Sequence, residues 1–377
     1  MDVNAKTALL GGLSPARFMQ KHWQKKPLLV RQACPGVAPP LARTALFNLA
    51  ANADVESRLV QREGAAWRVR SGPLARRALP PLSRPGWTLL VQGLDLHVNA
   101  AHDMLQRFRF APDARLDDLM VSWASDGGSV GPHVDAYDVF LLQVQGRRRW
   151  QVGRVKQPAW IEGAPLKLLR HFEPTQEWLL EPGDMLYLPP QWGHEGTAVG
   201  GDCMTCSIGF SAPAAGSLAR ELLSRLADEE DSSRAALALY RDARQPATHT
   251  PAAVPSELQD FARAALQRHL ADPEALPRVL GAWLTEPKPR VWFGAAASAA
   301  RSNGAVRLDP RTRMMYDDRH VFINGEALRA SGRDARAMRQ LADARALSAP
   351  ERGRLSPAAN EVLAGWIAAG WAHGANG

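Results

Sequence analysis

Between about residues 116 and 212 the chain breaks into short apolar runs separated by Gly, Pro and Asp, and this rhythm limits the possible folds more than any other feature. The runs 119–123, 140–144, 147–152, 185–188 and 204–210 are all of strand length. Turn signals bound them, among them Gly127-Gly128-Ser129-Val130-Gly131-Pro132 and Glu181-Pro182-Gly183-Asp184. Many short strands at such spacing suit a jelly roll or sandwich. Gly146, between two of the runs, predicts a hairpin over 140–152.

The flanks read differently. Ser14 before Pro15 is a helix N-cap, and the helix should stop before Pro27, ahead of a short strand at Leu28-Leu29-Val30. Residues 41–60 read as a helix with Leu41, Leu46, Leu49 and Val55 on its apolar face. A strand at 87–92 and a helix around 98–108 follow. After Pro213, leucines at 218, 222 and 226 mark one helix face, and 258–270 shows similar spacing. A last section from near Arg290 holds a strand pair, 313–317 and 320–323, closed by Asn324-Gly325. Helices around 335–346 and 358–372 complete a pattern that resembles a winged helix.

Chemistry concentrates at His133-Val134-Asp135, where a turn runs into an apolar strand, and at His194, just after another. Strand side chains alternate faces, so His133 and Asp135 point the same way. Two imidazoles and one carboxylate hold one face of an octahedral Fe(II) and leave positions for a cosubstrate and dioxygen. Zinc also accepts His and Asp, and the ligand set alone does not decide between the metals.

An Fe(II) oxygenase of this kind needs an electron source, commonly 2-oxoglutarate, whose distal carboxylate must be neutralised inside the barrel. In Gly146-Arg147-Arg148-Arg149-Trp150-Gln151-Val152, Arg148 shares a face with Trp150 and Val152. If that apolar pair faces inward, Arg148 goes with it and can pair bidentately with a carboxylate, leaving Arg147 and Arg149 to solvent. Thr205, Ser207 and Gly209 share a face of the last strand, so Thr205 and Ser207 are candidates for the cosubstrate's other end. Tyr137 is a candidate for the mouth where a substrate enters, with packing as an ordinary aromatic its alternative.

Composition places limits on the partners. At 377 residues, 46% hydrophobic and 22% charged, the chain has room for two or three globular domains. No apolar run approaches the roughly 20 residues that cross a bilayer. The first residues lack a basic stretch leading into an apolar one, so no secretory signal is expected. Three cysteines in such a chain fit a reducing compartment, and a cytoplasmic protein is expected. Cys203 and Cys206 form a CxxC without a second pair, and on a strand they face opposite ways, which favours ordinary strand cysteines. The net charge of +8 suits an acidic or nucleic-acid-rich neighbourhood but leaves direct nucleic-acid binding undecided.

These residues resemble the JmjC-type 2-oxoglutarate oxygenases, in their bacterial ribosomal oxygenase branch. The resemblance rests on Gly131-Pro132-His133-Val134-Asp135 with Tyr137-Asp138-Val139-Phe140, on Gly146 to Trp150, on Gly183-Asp184-Met185-Leu186-Tyr187-Leu188-Pro189, and on His194-Glu195-Gly196. His22-Trp23-Gln24-Lys25-Lys26-Pro27-Leu28 also looks like the family's N-terminal stretch. The resemblance implies a mixed α+β chain: a double-stranded β-helix of cupin or JmjC jelly-roll type, a helical dimerisation region and a C-terminal winged-helix-like domain. We accordingly expect a catalytic domain over 1–213, a dimerisation region over 214–289 and a winged-helix-like domain over 290–377.

The resemblance further implies Fe(II) on His133, Asp135 and His194, 2-oxoglutarate held by Arg148, and a homodimer. Its implied activity is hydroxylation of an arginine side chain on ribosomal protein sixteen of the large subunit. Relatives that hydroxylate histidine on other ribosomal proteins keep a second substrate open. A cupin metalloenzyme acting on a small molecule, and a non-catalytic nucleic-acid-binding protein, are the rival classes. The metal set with Arg148 speaks against the latter, and the helical and winged extensions speak against the former.

Overall fold

The computed structural model describes residues 2–64, 66–228, 238–243, 246–247, 249–294 and 304–375. The chain forms two compact units, Met1–Ala212 with Pro289–Trp292, and Pro213–Lys288 with Phe293–Gly377. Residues 295–303 and 376–377 of the expected winged-helix-like domain lie outside the described residues.

The first unit contains α1 (Pro15–Lys21), β1 (Leu28–Val30), α2 (Arg43–Leu49), β2 (Ser57–Glu63), β3 (Ala66–Ser71), β4 (Trp87–Val91) and α3 (Asn99–Gln106). It continues with β5 (Leu116–Ala124), β6 (His133–Val134), β7 (Asp138–Arg154), β8 (Gln176–Leu180), β9 (Met185–Leu188) and β10 (Trp192–Phe210). The strands make one sheet in the order β1-β9-β7-β10-β5-β4-β2-β3, with β6 added to β10 and β8 to β7. Every pairing in it is antiparallel.

Period-two alternation divides this sheet into two chemical faces. Phe140, Leu142, Tyr187, Cys206, Ile208 and Phe210 enter a large core with Phe18, Leu46 and Trp87 from the N-terminal segments. Burial of each large side chain there contributes roughly 1.5–3 kcal/mol. Val139, Leu141, Trp150, Val152, Leu180, Leu186 and Leu188 form a separate cluster that belongs to the other face. At α1 the Ser14 hydroxyl accepts the Arg17 N–H, as an N-cap does. At the turn before β9, Asp184 accepts the Gln32 and Glu181 N–H groups and pairs with Arg31. Burial pushes the Asp184 carboxyl up, but these partners outweigh it and hold it below the usual range.

Two expectations are corrected. The run 140–152 is no hairpin but part of one 17-residue strand, β7. Gly146 sits at φ 63° where the β7–β10 register shifts, and a Cβ there would lie 2.9 Å from the Asp202 carbonyl. The glycine marks a bulge between two long strands and not a reversal. The helix expected over 41–60 ends at Leu49, because Asn52 caps a turn by accepting the Asp54 N–H, and residues 57–63 pair as β2 with β3 and β4.

The second unit holds α4 (Ala215–Asp228), α5 (Ser256–His269), α6 (Ala275–Thr285), β11 (Ala305–Leu308), β12 (Met314–Tyr316), β13 (His320–Ile323) and β14 (Glu326–Arg329). It ends with α7 (Gly332–Ala344), β15 (Ala346–Leu347), α8 (Ala349–Arg352), α9 (Pro357–Ala368) and β16 (Ala372–Ala375). Leu222 and Leu226 of α4 pack on Ala275 and Val279 of α6, as the leucine spacing predicts. Sheets β12-β13-β14 and β15-β11-β16 enclose a core with Met338, Leu341, Leu363 and Trp366. Asn324-Gly325 connects β13 to β14 and does not close the β12–β13 pair.

Candidate metal and cosubstrate site

β6 is only two residues long, yet its pairing sets the site: His133 lies directly opposite His194 of β10. The next β7 neighbour of His194 is Val152, so the imidazole points to the face carrying Trp150 and Val152. Nδ1 of His133 is 2.9 Å from the Gly131 carbonyl, and Nδ1 of His194 is 3.0 Å from the Trp192 carbonyl. A carbonyl only accepts, so each ring donates from Nδ1 and keeps the Nε2 lone pair for a metal. Those Nε2 atoms lie 4.0 and 3.5 Å from Asp135 Oδ2. All three ligand atoms fall within 4.8 Å of one another. Burial pushes the His194 imidazole down to about 4, so it is neutral and able to ligate near pH 7. Three ligands on one side of an octahedral ion leave the opposite positions open.

Arg148 follows the face of Trp150 and Val152, 3% exposed, whereas Arg147 and Arg149 are exposed. Its Nε and Nη2 are buried without a hydrogen-bond partner among the described residues, and so is Trp150 Nε1. The Arg148 guanidinium lies 5.8 Å from the Trp150 ring centroid, and Trp150 lies 5.8 Å from the His194 ring. A buried cation with unpaired donors is costly, and a dicarboxylate cosubstrate supplies the charge and acceptors it lacks. The residues therefore fit 2-oxoglutarate.

A cavity of about 360 Å³ opens beside the metal ligands, lined by His133, Asp135, Tyr137, Val139 and Ser207. Tyr137, 41% exposed, stands at its surface. Ser207 lines the cavity, but Thr205 is buried and its hydroxyl donates to Gln143 Oε1 at 2.8 Å. Thr205 is thus committed within the sheet. Asp117 and Asp118 of β5 and Arg58 of β2 also line the cavity, together with Lys167. The sequence does not single them out: the strand expected at 119–123 starts after the two aspartates, Arg58 falls in the helix expected over 41–60, and Lys167 lies in no expected element. The signal was present: Asp118 shares a face with Met120, which stands opposite Ser207.

Both cysteines of the CxxC are buried. Cys203 packs with Ala124 and Ala198, and Cys206 lies in the large core, where burial pushes its thiol up. No disulfide forms: Cys34, Cys203 and Cys206 are all free.

Comparisons with known proteins agree with this geometry. Residues 103–218 match the JmjC domain and residues 268–373 the ROXA-like winged helix. The ribosomal protein uL16 3-hydroxylase of Escherichia coli is 34% identical over 272 residues, covering 72% of this chain and 71% of that protein. The X-ray structure of E. coli YcfD superposes with a TM-score of 0.84 at 29% identity, covering 95% of this chain and 97% of that one. YcfD, a ribosomal oxygenase, in complex with cobalt and 2-oxoglutarate matches with a TM-score of 0.81 at 28% identity, covering 96% and 98%. The chain belongs to the ribosomal oxygenases, JmjC proteins that carry a ROXA-like winged helix.

Proposed function

We propose that this chain is a 2-oxoglutarate- and Fe(II)-dependent protein hydroxylase whose target is an arginine side chain of large-subunit ribosomal protein uL16. One observation carries the cosubstrate assignment: the buried Arg148 guanidinium, whose Nε and Nη2 have no hydrogen-bond partner among the described residues, on the same face as the His133, Asp135 and His194 set. His133, Asp135 and His194 hold the iron, and Arg148 pairs with the distal carboxylate of 2-oxoglutarate. Ser207 is available to the cosubstrate from the cavity wall. Thr205 contributes through Gln143, by holding the strand beside it.

When bound, iron with 2-oxoglutarate and dioxygen supplies oxidation of an unactivated C–H bond, with release of succinate and carbon dioxide. The protein residues provide the rest. The apolar cluster around Val139, Leu141 and Trp150 keeps water from the interior. Tyr137 flanks the entering side chain, at a cavity wall that mixes the carboxylates Asp117 and Asp118 with Arg58 and Lys167. The likeness to the E. coli uL16 3-hydroxylase supports the same substrate.

The division into 1–213, 214–289 and 290–377 describes a catalytic domain, a dimerisation region and a winged-helix-like domain. A homodimer is supported by α5, which leaves Leu258, Phe261 and Leu266 exposed along its length. Work on a ribosomal protein fits a cytoplasmic location, and among the described residues no helix is long and apolar enough to cross a membrane. Intact masses of ribosomal proteins from cells with and without the gene test the substrate. We expect uL16 alone to lose about 16 Da, one oxygen atom, when the gene is deleted. A loss on a different ribosomal protein would move the target, and no loss anywhere would remove the proposal.

A further inference from the structure

The two metal-ligating histidines are braced differently. His194 donates to Trp192, whose carbonyl belongs to β10 and is fixed by pairing with Arg154 of β7. His133 donates to Gly131, which lies in the loop before β6 with no ladder partner of its own. Something else must aim that carbonyl.

Ser129 and Glu195 are placed to do so. The buried Ser129 hydroxyl donates to Glu195 Oε1 at 3.1 Å and accepts the Gly131 N–H at 2.9 Å. Glu195 follows His194 on β10 and points to the opposite face, so one strand carries both a metal ligand and the anchor for the other ligand's loop. Donating to Glu195 Oε1 orients the hydroxyl so that a lone pair meets the Gly131 N–H. Gly131 itself is at φ 78°, and a Cβ there would lie 2.5 Å from Leu168 Cδ2, so glycine is the residue that fits this turn. Pro132 fixes the next φ and its carbonyl accepts the Leu169 N–H at 2.9 Å.

We propose that Glu195 and Ser129 are positioning residues for His133, acting through Gly131 to fix the tautomer and direction of its imidazole. The inference rests on the reading of His133 as a metal ligand. Outer partners of ligating histidines typically change metal affinity by about 10–100-fold. The geometry adds an order among variants. Ser129→Ala keeps the carboxylate charge but breaks the relay, Glu195→Ala removes both, and Glu195→Gln loses charge but keeps an acceptor for the hydroxyl.

The test is calorimetric titration of metal-free full-length protein with Co(II), alongside thermal melting of the same samples. Ser129→Ala and Glu195→Ala should each weaken Co(II) binding about 10–100-fold, with Glu195→Gln close to wild type. The double alanine variant should be no weaker than the worse single one, since both break the same relay. Unchanged Co(II) affinity in the alanine variants would overturn the proposal, whether or not their melting falls. Equal loss in Glu195→Gln and Glu195→Ala, with Ser129→Ala unaffected, would also overturn it, because charge alone would then be the cause. His133→Ala separates the two levels: if it binds Co(II) as well as wild type, the ligand assignment fails and not merely its support.

Discussion

Arg148 stands in a conflict that a single substitution resolves. Its buried guanidinium burdens the protein without ligand and becomes useful when a carboxylate arrives. Arg148→Met should therefore raise the melting temperature of the ligand-free protein while weakening 2-oxoglutarate binding. Loss of a charged hydrogen-bonded pair costs about 1.5–3 kcal/mol, so the dissociation constant should rise roughly 10–150-fold with Co(II) affinity kept. Titration calorimetry and melting of the same variant check both halves. Unchanged 2-oxoglutarate affinity would assign the carboxylate to another residue. The site was legible at this scale because strand parity is a local rule: residues two apart share a face, whatever the sheet. Parity brought His133 with Asp135 and Arg148 with Trp150. It did not reveal that the Thr205 hydroxyl is taken by Gln143, a contact between residues far apart in the chain.

At the scale of elements, acid stability reports on the second unit. Asp309, just after β11, bonds Arg311 and accepts from His373 of β16 at 2.8 Å. Burial pushes its carboxyl up, but Arg311 and His373 outweigh this and hold it at about 2. The folded value lies below the unfolded one near 3.9, so this stabilisation is full above pH 4 and is lost as pH falls toward 2. A shift of this size is worth about 2–3 kcal/mol. Asp309→Asn should accordingly cost about that much in urea denaturation at pH 6, and far less near pH 2.5. A cost that stays constant with pH would contradict the linkage. Elements were readable where local chemistry defines them, as at Ser14-Pro15 and at the leucines of α4. They were misread where a distant strand decides: Gly146 is a turn signal alone and becomes a bulge only because β10 runs beside both halves of β7. Residues 57–63 likewise lack a local strand signature, and their partners β3 and β4 make them one.

Across the whole molecule, jelly roll, helices and winged helix followed one another in the sequence as textures, which is why the class of fold was readable before its strand order. Assembly is the least local property. α5 leaves Leu258, Phe261 and Leu266 exposed, Leu266 by 67%, and the proposed homodimer would use these apolar side chains. Phe261→Asp with Leu266→Asp should convert a dimer to a monomer in sedimentation velocity while leaving the melting of the first unit unaltered. Wild-type protein sedimenting as a monomer would discard this surface as an interface.

Reconstitution puts the central claim to its most direct test. Purified full-length protein is incubated with Fe(II), ascorbate, 2-oxoglutarate and uL16, and the uL16 mass is followed with the succinate formed. The account predicts a gain of about 16 Da on one arginine, one succinate per oxygen inserted, and neither product with His133→Ala. An iron-loaded protein that yields neither succinate nor a mass gain on uL16 would contradict it.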